Sequence, residues 1–492
     1  MPESGIAVFR SGSDSTANYF ALTGKHGSAL LSSDAHNQAD DGAFFMMVNG
    51  QNMALTPGYL AYDMRDSVDQ AKNHSMLLVN GQGTLQGIPG MSNGANCYIE
   101  KYFQSPVQNY AELRTNYLNT DINRKVMHVR NRYFLLIDHL YGSVPQSYQW
   151  QLHGFGLAGG NATSGIYYDL TANNRSYWKK NNSVLFSHIT SDVPIAFSKQ
   201  TNYHEFTYRT FNTHTTLIAF TISTRNATFM SCLQGVKNIS TDTLASNVLN
   251  IAGTTALKYS DNGYTDIAVS KSNNNLVTIP KATTGLQNDF VTDAQFFWTS
   301  EKGGSIVDLF MYKGTSLKQN TKTLLTTSAP MNIQYLQTGA KSYSGYCGDS
   351  GTVIFYTGEY TFNFFGDNVL SVVYDTVALA STVHFGGAGK FSFVLDNSRI
   401  GVETIFNDRN SFSIYPNPSS EKISIRFKNT AVQKLQFSLF DLDGKTLLEQ
   451  TADYNGSPVS IDISGISSGI YFLRFSDASG NLSLPVKILI SR

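Results

Sequence analysis

The 492-residue sequence has no excess of charge of either sign and no long hydrophobic run. Its 36 basic residues balance 36 acidic ones, and charged residues make up only 15% of the chain. Nucleic-acid-binding proteins usually carry a basic excess, so we expect no nucleic-acid partner. No apolar run approaches the ~18 residues that a membrane-spanning helix needs, so we expect no transmembrane segment.

Cysteine is also scarce, because Cys97, Cys232 and Cys347 are the only three and lie far apart in the sequence. An odd number at this spacing forms neither a disulfide framework nor a zinc knuckle. At most one pair can form. The pairing and the redox compartment therefore stay open.

A 3.6-residue apolar period is missing as well, whereas alternating apolar and polar residues recur along the whole chain. Residues 43–48 and 53–56 are predicted strands around Asn49-Gly50, a pair that tolerates the positive φ of a tight hairpin turn. A second hairpin is predicted from residues 294–299 and 305–312. Many short strands with few helices indicate antiparallel sheets packed as sandwiches.

The last eighty residues have a pattern of their own. It consists of Tyr-Pro-Asn-Pro at residues 415–418, Asp-Leu-Asp-Gly-Lys at residues 441–445, Gly-Ile-Tyr at residues 469–471 and a short basic tail. This pattern resembles the C-terminal sorting domain of the type IX secretion system of Bacteroidetes. The resemblance implies export to the cell surface or the medium, with the type IX secretion machinery as a partner. An unrelated immunoglobulin-like module that binds sugar or another domain is the alternative.

The N-terminal residues, MPESGIAVFRSG, lack the basic region, apolar core and cleavage site of a secretory signal peptide. Export by the type IX route implies such a signal. We therefore expect this chain to be the C-terminal part of a longer gene product.

Six segments near the N-terminus form a second pattern: ESGIAVFRS, HNQADDGAF, LTPGYLAY, NHSMLLVNGQG, RYFLLIDHLYG and WQLHG. Their order and spacing resemble the β-sandwich half of heparinase II/III-like polysaccharide lyases, clearly over residues 1–154 and more weakly to about residue 314. The resemblance implies a preceding α/α toroid and cleavage of a uronate-containing, acidic polysaccharide by β-elimination in the cleft between toroid and sandwich.

β-Elimination needs the C5 carboxylate neutralised, a base for the C5 proton and an acid at the leaving O4. The resemblance implies that the toroid supplies a tyrosine and that the sandwich supplies a histidine from His-Xaa-His-Xaa-Asp-Xaa-Gly, which aligns with residues 36–42. His36 is therefore the candidate catalytic residue. Without the resemblance, we would interpret a histidine beside two aspartates as a surface residue. Tyr59, Tyr62 and Arg65 are candidate substrate-binding residues, although such loop residues are common without a ligand.

The resemblance also implies a zinc site in some members, formed by the second histidine of the motif, an aspartate before a glycine and a later histidine. Gln38 and Thr56 stand at the first two positions here, and only His74 matches. Zinc needs several nitrogen, sulfur or carboxylate ligands. We predict no zinc and no other cofactor, in which case His74 simply caps a strand.

A polar stretch at residues 279–289 and a change of composition at residues 400–409 predict two boundaries. The fold class is all-β: a large antiparallel β-sandwich (a super-sandwich), a smaller β layer and a C-terminal immunoglobulin-like β-sandwich. The predicted domains are the heparinase II/III-like sandwich at 1–285, a smaller β-sheet domain at 286–402, a linker at 403–410 and the sorting domain at 411–492.

Two functions stay open. The first is the β-sandwich part of a secreted polysaccharide lyase, a carbon–oxygen lyase that is inactive without its toroid. The second is a non-catalytic surface protein that binds carbohydrate or acts as a scaffold. Whether this chain is an enzyme is therefore undecided and leans towards the lyase. A helical region in frame upstream of Met1 supports the first function, and a stop codon with a separate promoter supports the second.

Overall fold

A computed structural model describes residues 4–30, 38–58, 68–84, 95–161, 165–237, 245–356, 358, 364–375, 377–395, 412–427, 433–442, 444–455, 457–477 and 485–492. This part of the chain is nearly all β and forms antiparallel sheets, which confirms the predicted fold class. It divides into two compact units, Met1–Lys313 and Gly314–Arg492. Among the described residues no helix is long and apolar enough to span a membrane.

The strands of the first unit are, in chain order, β1 (Ser4–Arg10), β2 (Tyr19–Lys25), β3 (Phe44–Val48), β4 (Gln51–Ala54), β5 (Leu77–Val79), β6 (Cys97–Gln104), β7 (Gln108–Tyr117), β8 (Thr120–Val129), β9 (Tyr133–Gln146), β10 (Tyr148–Gly154), β11 (Leu157–Ala158), β12 (Ile166–Leu170), β13 (Arg175–Lys180), β14 (Ser183–Ser191), β15 (Ile195–Thr207), β16 (Thr210–Thr221), β17 (Thr224–Lys237), β18 (Ser246–Val248), β19 (Thr255–Asp261), β20 (Tyr264–Ser270), β21 (Val277–Ile279), β22 (Phe290–Thr292), β23 (Phe296–Lys302) and β24 (Ser305–Gln319), which begins in this unit. The short helices described are 3-10 turns at Gly27–Leu30, Ala71–Asn73 and Thr171–Asn173 and the α-helix α1 at Lys281–Thr284.

Two sheets of this unit pack face to face. The first has the order β1-β2-β3-β4-β10-β16-β15, with β5 also paired to β10, and the second has the order β11-β12-β13-β14-β17-β9-β8-β7-β6. In β3 the buried residues Phe44, Met46 and Val48 alternate with half-buried ones, as expected for a strand with one face on the core. Asn49 and Gly50 have φ of 50° and 74°, which confirms the predicted hairpin turn.

Aromatic side chains fill the space between the two sheets. Phe20 of the first sheet stacks on Phe134 of the second with ring centroids 4.8 Å apart. Trp150 and Trp178, one from each sheet, are fully buried in the same core. Removing these rings from water stabilises the fold by about 25 cal/mol for each Å² of apolar surface that is buried.

A third sheet, with β18, β19, β20, β23 and β24 in that order, covers the other face of the second sheet. Tyr133 stacks on Tyr259 across this interface at 4.0 Å, and the Tyr133 hydroxyl donates to Asp266 Oδ2 at 2.8 Å. Buried polar groups at such an interface need partners. The domain boundaries predicted from composition stay predictions, and the first compact unit ends at Lys313. The polar stretch at residues 279–289, where a boundary was predicted, contains α1.

The second unit contains β25 (Lys322–Gln337), β26 (Ser342–Cys347), β27 (Gly351–Phe355), β28 (Phe365–Gly366), β29 (Val369–Asp375), β30 (Ala380–Phe385), β31 (Gly389–Val394), β32 (Phe412–Tyr415), β33 (Lys422–Phe427), β34 (Gln433–Phe440), β35 (Thr446–Tyr454), β36 (Val459–Asp462), β37 (Gly469–Asp477) and β38 (Val486–Ile490). The last seven strands form two sheets, β32-β33-β36 and β35-β34-β37-β38. They enclose a common core that includes Ile425, Phe437, Ile461 and Phe475, as the alternation predicted for a small sandwich requires.

Candidate functional site

The four residues predicted to act on or bind substrate, His36, Tyr59, Tyr62 and Arg65, lie outside the described residues. Their assignment therefore stays a prediction. The structure does describe the segment between them, from Gln38, two residues after His36, to Gly58, one residue before Tyr59. It shows how these two flanking ends are held.

Lys25, the last residue of β2, holds the end of the histidine-bearing motif. Its Nζ donates to the Gln38 carbonyl at 2.8 Å and to Asp40 Oδ1 at 2.5 Å, and lies 3.7 Å from Asp41 Oδ1. The side chain of Lys25 is largely buried, so these contacts are shielded from water. One ammonium group thus contacts three residues of the motif.

Asp41 is an uncommon group within this motif because its side chain is only 1% exposed and neither carboxylate oxygen has a hydrogen-bond partner. Burial raises the pKa of Asp41 to about 7, an effect that Lys25 opposes and Asp40 reinforces. A buried carboxyl without hydrogen bonds favours its neutral form. Asp41 therefore changes charge near neutral pH, next to the segment that carries the candidate catalytic residue.

Gly42 completes the motif in a conformation that favours glycine, since its φ is +83°. Its amide donates to the Thr23 carbonyl at 2.9 Å, and its carbonyl accepts from Arg124 Nη1 at 2.8 Å. Arg124 is itself buried and forms a two-pronged ion pair with Asp138 at 2.6 and 3.0 Å. This backbone conformation gives a physical reason for glycine at the last position of the motif.

The residues at the three zinc-ligand positions do not fit a zinc ion. The Gln38 amide donates to the Gly58 carbonyl at 3.0 Å, and the Thr56 side chain is exposed. His74 is buried, and its Nε2 has no hydrogen-bond partner. Within the described ranges no three His, Cys, Asp or Glu side chains are grouped so that they could hold a metal. One imidazole alone is a weak site, since zinc takes several such ligands.

His74 has a clear structural position. It follows the 3-10 turn at Ala71–Asn73, donates its amide to the Ala71 carbonyl at 3.1 Å, and accepts from Gln151 Nε2 at 2.7 Å through its own carbonyl. Burial lowers the pKa of His74 to about 4, so the ring is neutral at physiological pH. It ends this turn three residues before β5.

Three buried histidines form a row on the same face of the first sheet as Gln151. This row was not predicted from the sequence. His153 Nδ1 is 2.9 Å from His214 Nε2, and His214 Nδ1 is 3.2 Å from His204 Nδ1. Thr216 Oγ1 contacts His153 Nδ1 at 3.0 Å. We call His153, His214 and His204 the histidine chain.

Neutral imidazoles satisfy this arrangement because each has one donor and one acceptor nitrogen. Burial lowers the pKa of His214 to about 3 and that of His204 to about 4, and it lowers the pKa of His153 well below its usual value. The ring nitrogens of His214 face different neighbours instead of converging on one point. The histidine chain is therefore a hydrogen-bonded row of neutral rings.

Strand pairing brings these histidines together from distant parts of the sequence. His153 is opposite Thr216, and His214 and His204 lie on the same face of the β15–β16 pair. The segment Trp-Gln-Leu-His-Gly, which contributes to the family resemblance, ends next to this row. The histidine of this segment was the only feature of the sequence that pointed to the row. Without the strand pairing, it could not be distinguished from any other histidine of the chain.

The other end of the described site segment is fixed to β15. The Glu205 amide donates to the Pro57 carbonyl at 2.9 Å. Gly58 has a φ of +87°, and a Cβ atom there would lie 2.6 Å from Glu205 Cβ. Residue 58 must therefore be a glycine for two reasons, its backbone conformation and the close approach of Glu205.

Two families match this chain. Residues 1–230 match the family described as heparinase II/III-like, C-terminal, and residues 413–491 match the secretion system C-terminal sorting domain. No protein with a curated description matches.

Solved structures also resemble the chain. A crystal structure of heparinase III is 19% identical, and the match covers 54% of this chain and 41% of the heparinase III chain, with a TM-score of 0.46. The heparan sulfate lyase HepC of Pedobacter heparinus is 17% identical and covers 52% of this chain and 40% of its own, with a TM-score of 0.42. A further heparinase III is 15% identical, and the match covers 61% of this chain and 42% of that protein's chain, with a TM-score of 0.45.

This chain spans about two fifths of the length of those solved structures. The family assignments rest on the sequence matches alone, and the sorting domain marks a secreted or cell-surface protein. Residues 1–230 are accordingly similar to the heparinase II/III-like C-terminal family, and residues 413–491 are similar to the secretion system C-terminal sorting domain.

Proposed function

We propose that this chain forms the β-sandwich wall of a secreted polysaccharide lyase, which cleaves a uronate-containing polysaccharide by β-elimination. The observation that carries the proposal is the match of residues 1–230 to the heparinase II/III-like C-terminal family. The anchored ends of the motif support it, because catalytic groups must be held in a defined position to contribute to the rate.

In this proposal His36 is the acid–base residue of the sandwich, and Tyr59, Tyr62 and Arg65 contact the sugar or its carboxylate. Arg65 is suited to a carboxylate because a guanidinium donates two parallel hydrogen bonds. The remaining acid–base partner is the toroid tyrosine that the family resemblance implies. We therefore expect the 492-residue chain by itself to be inactive.

The proposal includes no zinc. The Gln38 amide, the exposed Thr56 and the buried His74 do not form a ligand set. Metal analysis of the purified chain tests this, and one tightly bound zinc per chain would refute it.

The test of function compares the chain alone with the chain joined to any segment that the genome encodes in frame upstream of Met1. The formation of unsaturated uronate is measured on heparin, chondroitin and alginate. We expect product only from the joined protein, and we expect His36→Gln to abolish it while His384→Gln, in the second unit, leaves it unchanged. Activity of the isolated chain would contradict the need for the toroid. Equal activity of His36→Gln would contradict the role of His36.

One observation favours a second candidate, a non-catalytic surface protein that binds carbohydrate or acts as a scaffold. The amide of Gln38 is engaged with the backbone at the position where some relatives are expected to bind zinc. A protein that binds polysaccharide but gives no elimination product in any assembly would support this candidate. For either function, we propose export by the type IX secretion machinery, directed by residues 413–491.

A further inference from the structure

One sheet of the sorting domain carries apolar side chains on its outer face as well as on its core face. The core of the small sandwich contains Leu439 of β34, Tyr471, Leu473 and Phe475 of β37, and Ile488 and Ile490 of β38. Because successive side chains of a strand point to opposite faces, the residues next to these point outward. They are Phe440, Ile470, Phe472, Arg474 and Leu489, and we call them the outer patch.

The strand register joins the members of the outer patch. Phe440 is directly opposite Phe472, and Ile470 is directly opposite Leu489, so the patch continues from β34 across β37 to β38. Ile470 and Leu489 are 37% and 39% exposed, whereas Phe440 and Phe472 are half-buried. The phenylalanine end of the patch is therefore the better covered end.

Phe365 provides this cover. It belongs to β28, which pairs with β31 among the strands β25–β31 that precede the sorting domain. We call these strands the β layer. The Phe365 ring centroid lies 6.0 Å from that of Phe440 and 6.5 Å from that of Phe472. Both distances are typical of interacting aromatic pairs. One ring of the β layer thus contacts two rings of the sorting domain.

The residue before Phe365 holds it in this position. Phe364 is only 3% exposed and stacks on Phe393 of β31, with ring centroids 5.3 Å apart. Its burial anchors the backbone next to Phe365 in the core of the β layer. Phe365 therefore reaches the sorting domain from a backbone that this core holds.

Arg474 completes the contact from the side of the sorting domain. Its guanidinium carbon lies 4.8 Å from the centroid of the Phe365 ring and 6.0 Å from that of Phe440. A guanidinium this close to an aromatic face is attracted to it. Arg474 is only 8% exposed, and arginine is rarely buried so deeply unless it is paired. The contact therefore joins one side chain of the β layer to three of the sorting domain.

We propose that Phe365 is an intramolecular latch, which occupies the phenylalanine end of the outer patch and holds the sorting domain on the β layer. The occupant is a segment of this chain because the Phe365 ring already covers Phe440 and Phe472. While the latch is closed, no other protein can bind these two rings. The sorting domain then meets the secretion machinery as part of the second unit and not as a separate module. The inference concerns the sorting domain and is independent of lyase activity.

The experiment measures the distance between the β layer and the sorting domain in the full chain. Spin labels are attached at Val377→Cys in the β layer and at Ser460→Cys in β36, and the distance distribution is measured by pulsed electron paramagnetic resonance. Val377 is 92% exposed, Ser460 is also exposed, and neither belongs to the outer patch. The natural cysteines are buried, so the labels attach to the introduced ones.

The latch variants of this labelled protein are Phe365→Ala and Phe472→Thr, one from each side of the contact. Threonine suits a strand position, so Phe472→Thr removes the ring and keeps the strand. Leu370→Ala is the matched control, because Leu370 is a 49% exposed apolar residue of β29 in the same β layer. Circular dichroism and thermal unfolding check that each variant is folded. If Phe365→Ala is not folded, Phe472→Thr decides the test.

We expect one narrow distance in the labelled protein and in Leu370→Ala. In each latch variant we expect the distribution to widen by about 20 Å, the mean reach of a flexible stretch as long as residues 396–411. The double variant is expected to be no wider than either single one, because both changes remove the same contact. A distribution that stays narrow in the folded latch variants, or that is already broad without them, would overturn the latch. Self-association that the latch variants abolish would assign the outer patch to a second copy and also overturn it.

Discussion

Replacement of Asp41 by asparagine is expected to stabilise the first unit at neutral and alkaline pH. The buried carboxyl has no hydrogen-bond partner, and its pKa is raised from 3.8 to about 7. Because the pKa of Asp41 is higher in the folded protein than in the unfolded chain, Asp41 lowers the stability of the fold once the pH exceeds the unfolded value. This loss grows as the pH rises from about 4 to 7 and is constant above pH 7.

The magnitude follows from the size of the shift. Three pKa units correspond to about 4 kcal/mol at pH 8, and to roughly 2 kcal/mol at pH 5, where the unfolded state has already lost its proton. This shift already includes the attraction to Lys25, whose Nζ lies 3.7 Å from the carboxylate, and the cost of burying the asparagine amide reduces the gain. A net stabilisation of about 2 kcal/mol at pH 8 is expected for Asp41→Asn, with a smaller gain at pH 5.

Tryptophan fluorescence during urea unfolding reports this change selectively, because Trp150, Trp178 and Trp298, the only tryptophans, all belong to the first unit. Asp40→Asn is the matched control. It removes the closest partner of Lys25, at 2.5 Å, and is expected to destabilise at pH 8. If Asp41→Asn destabilised the unit equally at pH 5 and pH 8, Asp41 would be a required ionised partner of Lys25, and the assignment of its raised pKa would be wrong.

Two further predictions use the same fluorescence assay. Gly58→Ala is expected to lower the free energy of unfolding by about 2 kcal/mol or more, because φ is positive there and the added Cβ would meet Glu205. Gly253→Ala is the control, since φ is also positive but nothing lies within 4 Å, and it is expected to cost only about 1 kcal/mol. Equal effects of the two variants would refute the close approach of Glu205. The folded-state pKa of His214 is lowered to about 3, so stability is full above the unfolded value of 6.5 and falls as the pH drops below it. His214→Phe is expected to make this acid-side loss shallower, and an unchanged slope would contradict the neutral state of the ring.

The local part of the fold was predictable from the sequence. Asn49-Gly50 specifies its hairpin through the positive φ of both residues. The pair of strands before and after Gly303-Gly304 was predicted in the same way, and β23 and β24 confirm it. These features depend on residues next to one another in the chain, so a pattern of two or four residues contains the needed information.

The electrostatics of the site were not predictable, because they depend on burial and on partners from other strands. Lys25 at the end of β2 reaches Asp41 just before the neighbouring strand β3, and the histidine chain joins His153 to His214, 61 residues later. A pKa shift depends on burial and neighbouring charge, and neither is written in the local sequence. For the same reason, the need for glycine at residue 58 becomes clear only with Glu205 in contact.

The two candidate functions differ in what they require of Asp41. A buried carboxyl that accepts no hydrogen bond, 3.7 Å from the Lys25 ammonium, reduces stability within the motif that carries the candidate catalytic histidine, and such features concentrate at functional sites. A scaffold protein gains stability from Asp41→Asn and keeps its affinity for polysaccharide. A lyase gains the same stability but loses elimination rate if the charge of Asp41 helps to position the motif through Lys25. Measuring stability, polysaccharide affinity and, in the joined protein, elimination rate on this single variant therefore separates the two functions.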